Sequence, residues 1–340
     1  MKISILGTGR WASCIGFCLD RKKCNLLMWQ REHKDRPESG LFVNRTNEYV
    51  TLSNRVKLTH DLKQAINYGD VIIISILSQQ VDNLMQSIKQ VPGYENKIYC
   101  LAMKGIEVST GRRLSEILID NGVNKDNIAV WVGPGHVQSI FAGQPTNMLV
   151  SAYKRNIGEM LVKLFTDEKK IDIVYENDII GAEIGAAAKN VIGIASGVLE
   201  GSGLEQKKGP LISASIKEIG ELIDAEGGDK YTSMGLSFAG EIESTFFSKN
   251  SKNLTYGKLI AQHKTLDVDG FGINSKSVEG ITTAKALVKK QQDFNARVSE
   301  EKQLKMPITN AVNDIVSGKV DLDVAGQYMS EKVTESIMLK

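Results

Sequence analysis

The sequence opens with Lys2-Ile-Ser-Ile-Leu6, a short apolar run, and continues at once with Gly7-Thr-Gly9-Arg10-Trp11-Ala12. The apolar run predicts a buried strand, and the residues from Trp11 to Arg21 predict a helix. Glycines at such a strand-to-helix turn let the backbone approach a pyrophosphate, whose charge then meets the helix N-terminus. We therefore predict a dinucleotide site at Gly7 and Gly9, and a purely structural glycine turn is the alternative.

Predicted strands and helices alternate through the first half of the chain. Apolar runs that predict strands follow at 25–29, 56–59, 71–76, 97–102, 128–132, 147–151 and 171–174. This alternation is typical of an α/β fold with a doubly wound parallel sheet, that is, a Rossmann-like domain. Helical periodicity takes over from about residue 180. We expect an NAD(P)-binding domain over 1–179 and an all-helical substrate-binding and catalytic domain over 180–340.

Composition excludes several classes of protein. The chain has 42 basic and 40 acidic residues, and this balance argues against a nucleic-acid partner. No apolar stretch or cleavage pattern predicts a membrane span or a signal peptide, so we expect a cytoplasmic protein without membrane insertion. The cysteines lack CxxC spacing and the histidines are scattered, so we expect reduced thiols and no metal site.

The end of the second predicted strand bears on the choice of cofactor. It reads Met28-Trp29-Gln30-Arg31, whereas an acidic residue here would hold the ribose hydroxyls of NAD. Arg31 suits the 2′-phosphate of NADP, and a solvated charge beside Glu32 is the alternative. The sequence leaves NAD and NADP both open as cofactors.

Two lysines stand in positions suited to chemistry. Lys189 lies on the helical row of Gly185 and Gly193, so there is space above it for a ligand or for a facing domain. A structural lysine at a close helix contact is the alternative. Lys104 follows the strand at 97–102 and is expected at the carboxyl edge of the sheet, where doubly wound folds bind ligands; a plain surface charge is the alternative.

Together these motifs form a family pattern. The chain resembles the bacterial type of NAD(P)-dependent glycerol-3-phosphate dehydrogenase along its whole length. The matching pieces, in order, are the turn at 7–12, Ser78-Gln79, Lys104-Gly-Ile-Glu107, Gly133-Pro134 with His136, Ala188-Lys-Asn-Val-Ile192, Ser251-Lys-Asn253, Val278-Glu-Gly280 and Met306-Pro-Ile308.

The resemblance implies reversible hydride transfer between NAD(P)H and dihydroxyacetone phosphate, giving sn-glycerol 3-phosphate for phospholipid synthesis. It implies Lys189 as the general acid and Lys104 as its electrostatic companion. It also implies a homodimer. The implied substrate-binding residues are Lys104, Gly133, His136, Asn190, Glu241, Thr245, Lys252 and Asn253. The implied cofactor-binding residues are Gly7, Gly9, Arg10, Trp11, Arg31, Ser78, Lys104, Val137, Lys252 and Glu279.

The chain departs from the family pattern at several positions. Lys252 replaces the usual arginine, so a bidentate contact with phosphate is replaced by a contact with a single ammonium group. Glu241 replaces an aspartate, and Gly135 replaces a serine. A reductase of 3-hydroxy acids or of 6-phosphogluconate, and a catalytically silent NAD(P)-binding protein, are the competing interpretations.

Overall fold

The chain folds into two compact units. The computed structural model describes residues 1–32, 39–167, 170–246, 248 and 251–339. The first unit comprises Met1–Lys104 and Leu114–Ile179, and the second comprises Gly105–Arg113 and Ile180–Lys340. Each unit has its own hydrophobic core.

The first unit is built on an eight-stranded sheet with strand order β3-β2-β1-β4-β5-β6-β7-β8. Its strands are β1 Lys2–Leu6, β2 Asn25–Trp29, β3 Lys57–Thr59, β4 Val71–Ile74, β5 Ile98–Leu101, β6 Ile128–Val132, β7 Thr146–Ala152 and β8 Ile171–Glu176. Strand β4 is buried at every position, because a sheet covered on both faces needs apolar side chains on both. The α/β doubly wound fold predicted from the sequence is confirmed.

Seven helices accompany this sheet in the described part of the first unit. They are α1 Arg10–Arg21, α2 Gly40–Asn44, α3 Leu62–Tyr68, α4 Val81–Ile88, α5 Leu114–Asp120, α6 Val137–Phe141 and α7 Arg155–Phe165. The sheet departs from a wholly parallel one where β7 runs antiparallel to β6. The connection between these strands carries only the short helix α6, and a parallel crossover normally needs a longer helix that packs back over the sheet.

The strand order reverses between β1 and β4. Strands β2 and β3 continue the sheet on one side of this point, and β5 and β6 continue it on the other. In open α/β sheets ligands bind outside the carboxyl ends of the strands at such a reversal. The carboxyl ends of β1, β4, β5 and β6 therefore form the edge at which a ligand is expected.

The second unit is helical. Its helices in the described residues are α8 Ile179–Gly201, α9 Lys208–Ala225, α10 Ala239–Phe246, α11 Lys252–His263, α12 Glu279–Asn295, α13 Pro307–Val316 and α14 Ala325–Met338. Helix α8 is long and apolar enough to cross a membrane by composition, yet 94% of its most apolar window is buried within the fold. It is the central helix of this unit, because it is buried all round over 181–199 and its apolar residues belong to the core.

Helices α8 and α11 approach each other to backbone contact. A Cβ atom at Gly197 would lie 2.2 Å from the carbonyl oxygen of Leu254, and one at Gly257 would lie 2.2 Å from the carbonyl oxygen of Ile194. Only glycine fits at such distances, so these two positions set the separation of the helices. The close crossing brings the middle of α8 beside the first turn of α11.

Residues 105–113 form a hairpin that belongs to the second unit. The predicted boundary at 179/180 leaves this segment in the first domain. In the structure Ile106 is part of the core of the helical unit, and the guanidinium of Arg113 lies 3.0 Å from the carboxylate of Glu183. Both side chains of this ion pair are about 95% buried, so the pair fixes the hairpin to α8.

Candidate functional site

The turn after β1 has the geometry of a nucleotide-binding loop. Gly7 has a φ of +127°, a region that L side chains rarely adopt, and a Cβ there would lie 2.2 Å from the carbonyl oxygen of Ser75. Gly9 is the N-cap of α1, and a Cβ at Gly9 would meet no atom within 4 Å. Open space above a helix N-terminus is where a pyrophosphate binds.

A cavity of about 470 Å³ lies beside this turn. It is lined by Gly7, Thr8, Trp29, Gln30, Arg31, Ile76, Leu77, Gln80 and Leu84. The lining combines apolar side chains with polar groups, a combination that suits an adenosine moiety with its ribose. Arg31, for which a contact with the 2′-phosphate of NADP is predicted, lines the cavity and is exposed. The residues present therefore fit a dinucleotide.

Other predicted residues of the first unit follow the carboxyl ends of the strands. Arg10 and Trp11 begin α1, and the Trp11 ring packs edge-on against Trp131 of β6 at 5.3 Å between centroids. Ser78 begins a short 3₁₀ turn after β4. His136 caps α6 and Val137 is its first residue.

Lys104 follows β5, and its side chain points along this edge. Its Nζ donates a hydrogen bond of 3.2 Å to the carbonyl oxygen of Gly133, which follows β6. The side chain is half-buried. This contact shows that the loops after β5 and β6 lie side by side, as their adjacent parallel strands require.

In the second unit, Lys189 of α8 forms a buried ion pair. Its ammonium nitrogen lies 3.1 Å from Oε2 of Glu241 on α10, and the exposed fractions of the two side chains are 10% and 0%. The glycines on either side of Lys189 leave room for α10 and the residue before it. A Cβ at Gly185 would lie 3.0 Å from Cβ of Phe238. A Cβ at Gly193 would lie 2.6 Å from Cγ2 of Thr245 on α10. The space above Lys189 is thus bounded by a helix of the same unit.

A chain of side-chain amides continues from Lys189. Asn190 donates a hydrogen bond of 3.2 Å from Nδ2 to Glu279, and its Oδ1 accepts one of 2.9 Å from Nδ2 of Asn253. Oδ1 of Asn253 in turn accepts a hydrogen bond of 2.9 Å from the backbone nitrogen of Gly280. The network ties α8 to the first turns of α11 and α12.

Two helix N-termini therefore meet near Lys252. Helix α11 begins at Lys252 and is capped by Ser251, while α12 begins at Glu279. The exposed Lys252 donates a hydrogen bond of 3.0 Å from Nζ to Oγ of Ser277. An ammonium group together with two helix N-termini makes a place that favours an anion.

Thr245, on α10, is buried. Its hydroxyl donates a hydrogen bond of 2.9 Å to the backbone carbonyl of Glu241, one helical turn earlier. The hydroxyl oxygen keeps its capacity to accept.

Several residues of these sites have no role in the sequence prediction, among them Gln30, Ser277 and Gly280. Gln30 lines the cavity of the first unit, and Ser277 and Gly280 hold Lys252 and Asn253. Ser277 precedes, and Gly280 ends, the Val278-Glu-Gly280 family motif, which was the available signal. For Gln30 the signal was its place at the end of the second strand. Within the described residues no group of three or more His, Cys, Asp or Glu side chains could hold a metal ion.

Comparison with known proteins covers both units. A family model described as the N-terminus of NAD-dependent glycerol-3-phosphate dehydrogenase matches residues 2–157, and the model of the C-terminus matches residues 178–327. The chain is similar to the NAD(P)+ glycerol-3-phosphate dehydrogenase of Fusobacterium nucleatum, with 31% identity over 93% of this chain and 92% of that protein. The enzyme of the same description from Prosthecochloris aestuarii is 30% identical over 92% of each chain. The crystal structure of glycerol-3-phosphate dehydrogenase from Coxiella burnetii superposes with a TM-score of 0.82, at 21% identity over 99% of both chains.

Proposed function

The chain belongs to the family of NAD-dependent glycerol-3-phosphate dehydrogenases, and we propose that Lys189 supplies the proton when its substrate is reduced. The reaction is the NAD(P)H-dependent reduction of dihydroxyacetone phosphate to sn-glycerol 3-phosphate. NADH or NADPH, when bound, supplies a hydride to carbon 2 of the substrate. The protein must place that carbon, exclude water and deliver a proton to the carbonyl oxygen.

The ion pair of Lys189 and Glu241 carries this proposal. An ammonium group that is nine-tenths buried can donate to a substrate oxygen without competition from bulk water. The carboxylate of Glu241, 3.1 Å away, holds the ammonium in the α8–α10 cleft and balances its charge in a buried setting. Lys189 then protonates the oxygen of the reduced carbonyl as general acid, and Glu241 orients it.

Lys104 acts in this proposal as the second cation for the substrate oxygen. Its ammonium stabilises negative charge that develops on the oxygen as the carbonyl is reduced. The hydrogen bond from Nζ to the carbonyl of Gly133 supports this role, because it orients the side chain along the carboxyl edge of the sheet. His136 and Gly133 belong to the same edge and contribute polar contacts to the substrate.

The phosphate of the substrate binds, in this proposal, where α11 and α12 begin. Lys252 supplies the charge and Asn253 fixes the geometry. The side chains of Asn253 and Asn190 are hydrogen-bonded to each other, to Gly280 and to Glu279. They therefore act mainly by fixing the N-termini of α11 and α12 relative to each other. Thr245 helps to fix the backbone of Glu241 through the hydrogen bond from its hydroxyl to the carbonyl oxygen of Glu241.

The dinucleotide binds across the turn after β1. In this proposal the pyrophosphate binds at Gly7, Gly9, Arg10 and Trp11. Arg31 contacts the ribose end of the cofactor. Ser78 and Val137 contact the cofactor between these two ends. Gly9 supports this placement, because a Cβ there would meet no atom within 4 Å and Gly9 is the N-cap of α1. Glu279 and Lys252 are further cofactor-binding residues in this proposal.

We also propose the cellular setting. The product supplies the backbone of glycerophospholipids, and the protein works in the cytoplasm as a homodimer without membrane insertion. The burial of α8 within its unit supports the last point, because its apolar surface is already used in a core. Sedimentation of the purified full chain tests the dimer.

The deciding experiment measures initial rates of NADH and NADPH oxidation with dihydroxyacetone phosphate. The same protein is assayed in the oxidative direction with 3-hydroxyisobutyrate and with 6-phosphogluconate. We expect turnover with dihydroxyacetone phosphate alone. Turnover with 3-hydroxyisobutyrate or with 6-phosphogluconate would assign the chain to a related reductase. Cofactor binding without turnover of any of the three substrates would make it a catalytically silent binding protein.

A further inference from the structure

Gln30, the residue that follows β2, is held in one orientation by two hydroxyl groups. Oγ1 of Thr8 donates to Oε1 of Gln30 at 3.1 Å, and Oγ of Ser39 donates to the same oxygen at 2.5 Å. The backbone of Gln30 is fixed as well, since its nitrogen donates to the carbonyl of Thr59 at 3.2 Å and its carbonyl accepts from Nδ1 of His60 at 2.9 Å.

This arrangement leaves the amide nitrogen of Gln30 for a ligand. Both hydroxyls engage the oxygen, and Nε2 has no hydrogen-bond partner in the part of the chain that the structure describes. Gln30 and Arg31 together line the cavity of about 470 Å³ at the nucleotide turn. The described residues that line this cavity include no aspartate and no glutamate.

The two nicotinamide cofactors differ at this position by one group. The ribose of NAD presents a 2′-hydroxyl, which donates to a carboxylate, whereas NADP presents a 2′-phosphate, whose oxygens only accept. An amide NH₂ with two hydrogens and a guanidinium form a donor set for phosphate oxygens. A carboxylate at the same place would repel the phosphate.

We propose that Gln30 is a specificity-determining residue that, with its Thr8 and Ser39 clamp and with Arg31, selects the 2′-phosphate of NADP over the 2′-hydroxyl of NAD. This inference rests on the proposed function of the cavity as the cofactor site. The clamp is essential to it. A carboxamide turned the other way would present its oxygen to the cavity and would favour the hydroxyl.

Binding of two adenosine fragments tests the proposal without catalysis. Adenosine 2′,5′-bisphosphate carries the 2′-phosphate, and adenosine 5′-monophosphate lacks it. Isothermal titration of the full chain is expected to give tighter binding of the bisphosphate by about tenfold or more, which is the effect of one charge-assisted hydrogen bond. Equal binding of the two fragments, or tighter binding of the monophosphate, would overturn the proposal.

The variant Gln30→Glu replaces NH₂ by a charged oxygen at nearly constant shape. We expect it to lower the ratio of the two affinities by about ten- to a hundredfold, because it weakens binding of the bisphosphate. The monophosphate, whose 2′-hydroxyl can donate to the new carboxylate, is expected to bind as tightly as before or more tightly. Gln90→Glu, at an exposed position outside the lining of the cavity, adds the same charge and is expected to leave the ratio unchanged. The same loss in both variants would show a long-range charge effect and would contradict a role for Gln30.

A second variant keeps the test decisive if the glutamate disturbs folding. Gln30→Met removes the donor without adding charge, and we expect the affinity ratio to fall by about tenfold with the monophosphate still bound. An unchanged ratio in Gln30→Met would overturn the proposal. Turnover of dihydroxyacetone phosphate with NADH, measured on the same variants, reports the proposed function separately, because it does not need a 2′-phosphate.

Discussion

The ammonium of Lys189 and the carboxylate of Glu241 lie 3.1 Å apart in a buried pair that joins α8 to α10. A charge buried to this degree is stable only beside an opposite charge, so each residue depends on the other. The pair is at once a structural contact of the helical unit and the source of the proton in the proposed reaction. Structural and kinetic consequences of substitution can therefore be measured separately.

Lys189→Met is expected to lower kcat by at least ~100-fold, the usual contribution of a general acid. Cofactor affinity is expected to remain, since the nucleotide turn belongs to the first unit. Quenching of tryptophan fluorescence by NADPH measures that affinity, because Trp11 begins α1 beside the turn. Lys285→Met, at an exposed position on α12, is the matched control. A Lys189→Met enzyme with most of its turnover would exclude the lysine as the acid.

Glu241→Leu leaves the ammonium of Lys189 buried without its partner, so the free energy of unfolding is expected to fall by about 3–5 kcal/mol. The double variant Lys189→Met with Glu241→Leu removes both charges and is expected to recover much of this loss. Urea unfolding of the four proteins in this cycle gives the coupling energy. Additive effects of the two substitutions would mean that the pair contributes no coupling.

Lys252→Ala is expected to raise the KM for dihydroxyacetone phosphate by about tenfold or more and to leave the reaction of unphosphorylated dihydroxyacetone nearly unchanged. Ser277→Ala, which keeps the ammonium but removes its 3.0 Å hydrogen bond, is the matched control. Lys252→Arg is expected to retain activity, because a guanidinium engages two phosphate oxygens. Equal loss of activity with both substrates would instead indicate that Lys252 acts through the cofactor or the start of α11 and does not hold the substrate phosphate.

The carboxyl group of Glu218 is expected to make stability depend on pH. Burial raises the pKa of Glu218 to about 7, against the lowering effect of hydrogen bonds from Thr309, Ile308 and Ser336. Because the folded pKa lies above the usual 4.5, this contribution to stability is complete below pH 4.5 and is lost as pH rises through 7. The loss is about 3 kcal/mol over that interval.

Urea unfolding at several pH values measures this effect in the wild type and in Glu218→Gln. The variant cannot titrate at this position, so its free energy of unfolding is expected to vary less between pH 4.5 and 7 than that of the wild type. Its stability at low pH is expected to be lower, because the NH₂ of the new carboxamide would replace an acceptor and face the backbone N–H of either Ile308 or Thr309. Parallel pH profiles would show that another group titrates instead.

The sequence by itself determined the α/β fold, the helical second unit and the family. These features depend on local patterns: apolar runs of strand length, a glycine turn at residue 7, and helical periodicity after residue 180. Helix α8 illustrates this, since helical periodicity was expected from about residue 180 and the helix extends over Ile179–Gly201. Side-chain types in a fixed order along the chain were sufficient to identify the family motifs.

Tertiary structure alone decided which of these residues meet. Lys189 and Glu241 are 52 positions apart in sequence, and Gln30 meets Thr8 and Ser39 only because β1, β2 and α2 come together. The hairpin at 105–113 joins the helical unit because Ile106 is buried in the core of that unit and Arg113 pairs with Glu183. Contacts between distant segments depend on packing and burial, and no local pattern in the sequence specifies them.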